Sequence, residues 1–256
     1  MIKLFLKKVF FDSWDNILSL LLINLINLIP ILLFILILSS FSTNLFILLF
    51  IGMLVLKALI DGINSVYVKS IVYYQKSSVA TVLEGLKKSY RHIILYFFIE
   101  LIIGSIIFVA LPFYFSIGTL LTVSITLILV FTLILILFTQ FYFFPLATAM
   151  SDDGPFKTLK KSFLLVLDNF TFTLFFCLHH LINLILSLFF ATLIPGLSAI
   201  ALSRQVAVKF LLLKYDYLEK NTTKDKKELD WNTLLSDDIE KIGKRDLKGT
   251  LFPWKE

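Results

Sequence analysis

Six long apolar stretches divide the chain, at about 17–38, 45–66, 93–111, 119–144, 170–194 and 197–213. A helix rises about 1.5 Å per residue, so roughly 20 apolar residues cross the hydrocarbon of a bilayer, and each stretch reaches or nearly reaches that length. The stretches fall into three pairs. Within a pair the connection is short and uncharged: Ser39 to Asn44, Pro112 to Gly118, and Pro195-Gly196. Between pairs lie longer segments that carry the charges. Only helices and closed barrels satisfy their backbone groups in lipid, and runs this long are helical. The pattern predicts an all-α, polytopic transmembrane bundle of six spans in three hairpins over residues 1–218, with a polar tail at 219–256.

The segment leading into each hairpin carries a recurring motif: Leu6-Lys7-Lys8-Val9-Phe10, Leu86-Lys87-Lys88-Ser89-Tyr90 and Leu159-Lys160-Lys161-Ser162-Phe163. Six residues beyond the aromatic of the first and third copies stand Asn16 and Asn169, each preceded by Asp and followed at once by a span. This points to a threefold internal repeat. Each copy is expected to be a short amphipathic helix on the cytoplasmic membrane surface. There Phe156, Leu159 and Phe163, or Val79, Val82, Leu83, Leu86 and Tyr90, would enter the headgroup boundary while the Lys side chains stay in water.

Composition agrees with a membrane protein: 58% of the 256 residues are hydrophobic and 16% charged, against about a quarter charged in soluble domains. The net charge of +6 belongs to residues 1–218, because the tail holds nine basic and nine acidic side chains. Those positive charges sit beside span ends, where anionic lipid attracts them. By the positive-inside rule both termini are cytoplasmic, in the inner membrane of a bacterium, with the uncharged connections outside. Cys177 is alone, which excludes a disulfide scaffold, and the basicity is explained without nucleic acid. The apolar run after Lys7-Lys8 is too long for a signal h-region, so the first span is expected to be retained.

The segment Asp12-Ser13-Trp14-Asp15-Asn16, leading into Leu20-Leu21-Leu22-Ile23-Asn24-Leu25 and closing near Pro30, resembles the bacterial YesL-type membrane proteins, a family of unknown function. The resemblance covers mainly the first 30 residues and the six-span plan. It implies an integral inner-membrane protein of a family discussed in connection with sugar transport, and it carries no catalytic residues. The tail departs from the family's pattern.

Polar groups within spans are costly and hence candidates for function. They include Lys57, Asp61, Glu100, His180, Asn183 and Arg204, with Asn24, Asn27, His179 and Gln205 beside them. Counting along the spans places Lys57, Glu100 and His180 near mid-membrane, with Asp61 one turn deeper and Arg204 nearer the outside. Two readings stand for Lys57, Asp61 and Glu100: a substrate or proton site, or an i, i+4 pair plus a packing carboxylate. Arg204, which cannot lose its proton, is expected to snorkel or to meet a carboxylate rather than to form a dedicated anion site. His179 and His180 point about 100° apart and cannot chelate one metal together, so no metal site is expected; His180 and Asn183 share a face suited to interhelical hydrogen bonds. Asn24 and Asn27 read the same way, and Pro30 and Pro145 as possible kinks.

No phosphate-binding glycine loop, nucleophile elbow or paired-His motif occurs, so neither an enzyme nor a cofactor is expected. The expected partners are the lipid bilayer and a membrane-protein partner or second copy. In the tail, Leu229, Trp231, Leu234, Leu235 and Ile239 recur at helical spacing, which suits a helix folded against the cytoplasmic face or docked on a partner. Two functions follow. The first is an accessory or scaffold component of a transport or envelope system, expected of a bundle sealed by Phe and Leu. The alternative is a small secondary transporter using Glu100, Asp61 and Lys57, expected if a continuous polar cavity reaches them.

Overall fold

A computed structural model describes residues 1–38, 43–190, 193–220, 229–243 and 245. Among these residues no strand occurs. The helices are α1 (Ile2–Asp15), α2 (Ile17–Leu38), α3 (Thr43–Val72), α4 (Val79–Ser105), α5 (Leu111–Ile117), α6 (Leu120–Ala149), α7 (Pro155–Asp168), α8 (Phe170–Phe189), α9 (Gly196–Lys220), α10 (Trp231–Leu234) and α11 (Ser236–Ile242). Six helical segments are long and apolar enough to cross a membrane: Ile17–Ile37, Leu45–Val72, Val79–Ile117, Leu120–Ala149, Phe170–Phe189 and Gly196–Lys220. The chain is an all-helical, multi-pass membrane protein. The Ser39–Asn44 connection falls largely outside the described residues, as do Thr222 to Lys227 and the closing Leu251 to Trp254.

Two of the expected entry helices are separate elements. α1 and α7 are each 14 residues long, and each ends at an Asn with nearly the same backbone, φ −115° and ψ 21° at Asn16 and φ −125° and ψ 40° at Asn169. In both, the Asn Nδ2 donates to the carbonyl four residues back, Asp12 or Leu165. At Asn16 the side chain takes a carbonyl that the backbone N–H, bonded to Trp14, leaves free, whereas at Asn169 backbone and side chain share the Leu165 carbonyl.

The second copy differs. α4 begins at Ser78, which caps it through a reciprocal box with Thr81, and runs without a break through Lys87 and Lys88 into the membrane. The expected interfacial helix is therefore the first turns of the span itself, because no Asp-Asn pair interrupts it. The expected connection at Pro112 to Gly118 is also corrected, since the helix continues through a π turn at Ile106–Ala110 and α5 to Ile117. A proline ring removes one helical hydrogen bond and crowds the carbonyl four residues back, and a widened turn beside it accommodates both. The reversal is made instead by Gly118 at φ +70° and by Thr119, which caps α6 in a box with Thr122.

Helices α3 and α9 form the centre. α3 touches α2, α4, α6 and α9, whereas α9 touches α1, α2, α3, α6 and α8. α9 is the most buried span because small residues line it: Ser198, Ala199, Ser203 and Ala207 are all buried, and small side chains let helices approach closely in lipid. α6 is largely exposed over its first half, with Leu120, Leu121, Leu127, Ile128 and Phe131 facing outward.

α1 packs one face on the bundle: Phe5 is fully buried and meets Phe172, Phe176 and Phe210 edge-on at 5.7–6.4 Å, while Ile2, Leu6 and Trp14 stay exposed. α7 turns Thr158, Ser162, Leu165 and Val166 inward and leaves Phe156 and Phe163 exposed, so its aromatic stripe keeps the outward placement expected of it.

Candidate functional site

The intramembrane charges converge. Lys57 Nζ on α3 lies 2.6 Å from Glu100 Oε1 on α4 and 3.2 Å from Asp61 Oδ2 one turn along its own helix. Tyr96, one turn before Glu100, accepts from Lys57 at 3.2 Å and donates to Asp61 Oδ2 at 3.0 Å. Gln140 on α6 donates to Glu100 Oε1 at 3.1 Å. Lys57 and Asp61 are an i, i+4 pair, and Glu100 joins them across helices.

These groups line a cavity of about 510 Å³ between α2, α3, α4, α6 and α9, whose wall also includes Asn27 and Arg204. Its remaining lining is apolar, with Pro30, Ile31, Phe34 and Met53 on one side and Leu137 and Leu197 among the others. A volume of this size is in the range that holds a small ligand.

Arg204 meets no carboxylate among the described residues: it borders this same cavity, its guanidinium stands 5.4 Å from the Phe141 ring, and its buried Nε has no hydrogen-bond partner. The guanidinium cannot shed its proton to escape this position.

The remaining polar groups hold the bundle together. Asn24 donates to the carbonyls of Leu193 (2.8 Å) and Pro195 (3.2 Å) and accepts from Ser198 N at 2.8 Å, tying α2 to the start of α9. Gly196 there has φ +70°, and a Cβ on it would come within 2.0 Å of Asn24. Asn27 accepts from Asn64 at 2.7 Å, and His180 Nε2 lies 3.2 Å from Ser203 Oγ. Each of these two residues, eleventh in α2 and eleventh in α8, bonds to the next span. Asn183 departs from expectation: it bonds back to His179 on its own helix, at 3.0 Å to the carbonyl, and not across helices with His180. Among the described residues no three His, Cys, Asp or Glu side chains are grouped to hold a metal ion.

A second charged cluster joins α1 and α11, outside the spans, to Lys209 near the end of α9, and was not legible as one. Lys8, expected to stay in water, is fully buried, 2.9 Å from Asp12 and 2.9 Å from Asp238 of α11, and it donates to Tyr74 OH at 2.9 Å. Lys209 of α9 adds a 2.7 Å contact to Asp238. Lys7 donates to the Gly243 carbonyl at 3.2 Å. Burial pushes the Asp12 carboxyl up to about 6 against the pull of Lys8. Asp238 is held below the usual carboxylate range by Lys8 and Lys209, which outweigh its burial. Lys8 is raised by its two carboxylates despite burial. Among the other motif lysines, Lys87, Lys88 and Lys160 are exposed, Lys88 pairing with Glu84 at 3.1 Å. Lys161 is half-buried and meets Asp153 at 2.5 Å.

Sequence reasoning missed Tyr96, Gln140 and Asn64. Gln140 and Asn64 carried a usable signal, since an amide in an apolar span needs a partner. Tyr96 carried none, because aromatic residues are common throughout these spans.

No protein-family model, no curated protein and no solved structure matches this chain.

Proposed function

We propose that this protein is a small secondary transporter that takes a solute into the cavity formed by Lys57, Asp61, Glu100, Gln140 and Arg204. The observation that supports this over an accessory role is the cavity itself: four charged side chains border one space rather than a seal of Phe and Leu. Charges kept within the hydrocarbon region are expensive and are typical of solute pathways. The docking of α10 and α11 onto the chain's own base weakens the accessory reading, because Leu235 and Ile242 are already buried and Trp231 stacks near Phe210 at 6.5 Å. In this reading the end bearing α1, α7 and the tail faces the cytoplasm, following its basic residues, and the protein is not an enzyme.

The test is aqueous access. In a Cys177→Ser background, Ala201→Cys on the cavity wall is expected to react with a membrane-impermeant maleimide in sealed vesicles, and from either face when the two faces are treated separately. Failure to label from both faces would falsify the transporter reading.

A further inference from the structure

Resting on that reading of the cavity, its charges also specify what kind of solute fits. Lys57, Asp61 and Glu100 together carry one net negative charge. Each carboxylate uses one oxygen for Lys57: Asp61 Oδ2, which also accepts from Tyr96, and Glu100 Oε1, which also accepts from Gln140. Among the described residues, Asp61 Oδ1 and Glu100 Oε2 accept no hydrogen bond. On α9 stands the opposite pole, Arg204, with no carboxylate of the described residues within ion-pair distance and a buried, unpartnered Nε. Apart from Asn27, the rest of the wall, including Ile31, Phe34 and Met53, is apolar.

An uncompensated guanidinium and an incompletely used pair of carboxylates in one cavity of low dielectric each gain from a counter-charge. A simple anion would satisfy Arg204 and leave the negative pole unanswered. A simple cation would do the reverse. A molecule carrying both charges answers both and leaves the cavity's net charge at zero.

We infer that the cavity binds a small zwitterion with an apolar body, an apolar amino acid or short peptide, with its carboxylate on Arg204 and its ammonium on the free oxygens of Asp61 and Glu100. The planar guanidinium fork suits a carboxylate, and the two carboxylate oxygens suit an ammonium with three donors.

The experiment is calorimetric titration of the full chain in mild detergent with L-leucine and with L-leucyl-L-leucine, beside isocaproate, which lacks the ammonium, and isoamylamine, which lacks the carboxylate. One of the two zwitterions is expected to bind, and each half-ligand to bind roughly tenfold or more weakly, the loss of one charged hydrogen-bonded contact. Arg204→Gln should abolish the preference for leucine over isoamylamine. Asp61→Asn with Glu100→Gln should abolish the preference for leucine over isocaproate. If a variant does not fold, the comparison of ligands on the wild-type protein decides alone. Equal binding of isocaproate and leucine would make this a plain anion site, and equal binding of isoamylamine a plain cation site; either overturns the inference. If neither zwitterion binds while Ala201→Cys still labels, the cavity stands and its assigned ligand class is wrong. If labelling fails too, the transporter reading falls with it.

Discussion

Lys57 holds two carboxylates at once, which makes it the residue whose loss should cost most. Lys57→Met leaves Asp61 and Glu100 facing each other without a cation and is expected to destabilise the protein by about 1–3 kcal/mol, read as a lower melting temperature in detergent. Adding Asp61→Asn and Glu100→Gln to it should restore most of the loss, since neutral partners need no cation. If the triple variant melts no higher than the single one, the ion pairs are not what holds this site. At this scale the sequence was informative about which residues matter and silent about which ones meet. Lys57, Asp61 and Glu100 could be placed at similar depth by counting residues along straight helices. Arg204 was misplaced, because its pairing depends on which face of α9 turns toward α3 and α4, and one-dimensional spacing does not contain the rotation of one helix against another. Lys8 failed for a different reason. Its motif suits a wet lysine, and the two carboxylates that bury it come from Asp12 on its own helix and from Asp238, 230 residues along the chain.

At the level of elements, the tail is joined to the bundle through Asp238, packed against Lys8 and Lys209, and through Trp231 beside Phe210. Asp238→Asn should leave two buried lysines short of a counter-charge and release α10 and α11. With Trp14 and Trp254 replaced by Phe, the emission of Trp231 is expected to shift to the red in that variant and to stay blue in the parent. The acid dependence follows from two opposed shifts. Asp238 titrates below its ordinary 3.8, so its contribution is present above that value and is lost as the pH falls through its depressed pKa. Asp12 is raised to about 6, so between about 6 and 3.8 the folded protein binds a proton that the unfolded chain does not, and this group adds stability as the pH falls. Lys8, raised above 10.5, contributes fully below that value and loses its contribution as the pH rises through its folded pKa. Docking should therefore persist from mild acid to about pH 10, and Asp12→Asn should flatten the dependence between 6 and 4 in a denaturation series. The elements themselves were largely legible, because apolar length dictates spans and Asp-Asn marks the two junctions. The continuity of α4 into α5 was not, since Pro112 reads as a turn residue and nothing in sequence announces a π turn that absorbs it.

On the scale of the whole molecule, the two ends of the bundle differ in chemistry: one gathers α1, α7 and the docked tail with their lysines, and the other is closed by uncharged turns at Gly118 and Gly196. Under the positive-inside rule a green fluorescent protein fused after Glu256 should fluoresce, while alkaline phosphatase fused there should be inactive. The reverse pattern would invert the orientation assigned here. Packing is as uneven as charge. α9 is buried among its neighbours through small side chains, whereas the first half of α6 offers Leu120, Leu121, Leu127, Ile128 and Phe131 to the surroundings. Lipid asks of a side chain only that it be apolar, and a crowded helix interface asks for a particular shape. Over evolutionary time, then, the first half of α6 should drift freely among Leu, Ile, Val and Phe, while Ser198, Ala199, Ser203 and Ala207 of α9 change slowly, so that the rate of substitution along the chain traces which helix faces its own kind and which faces the membrane.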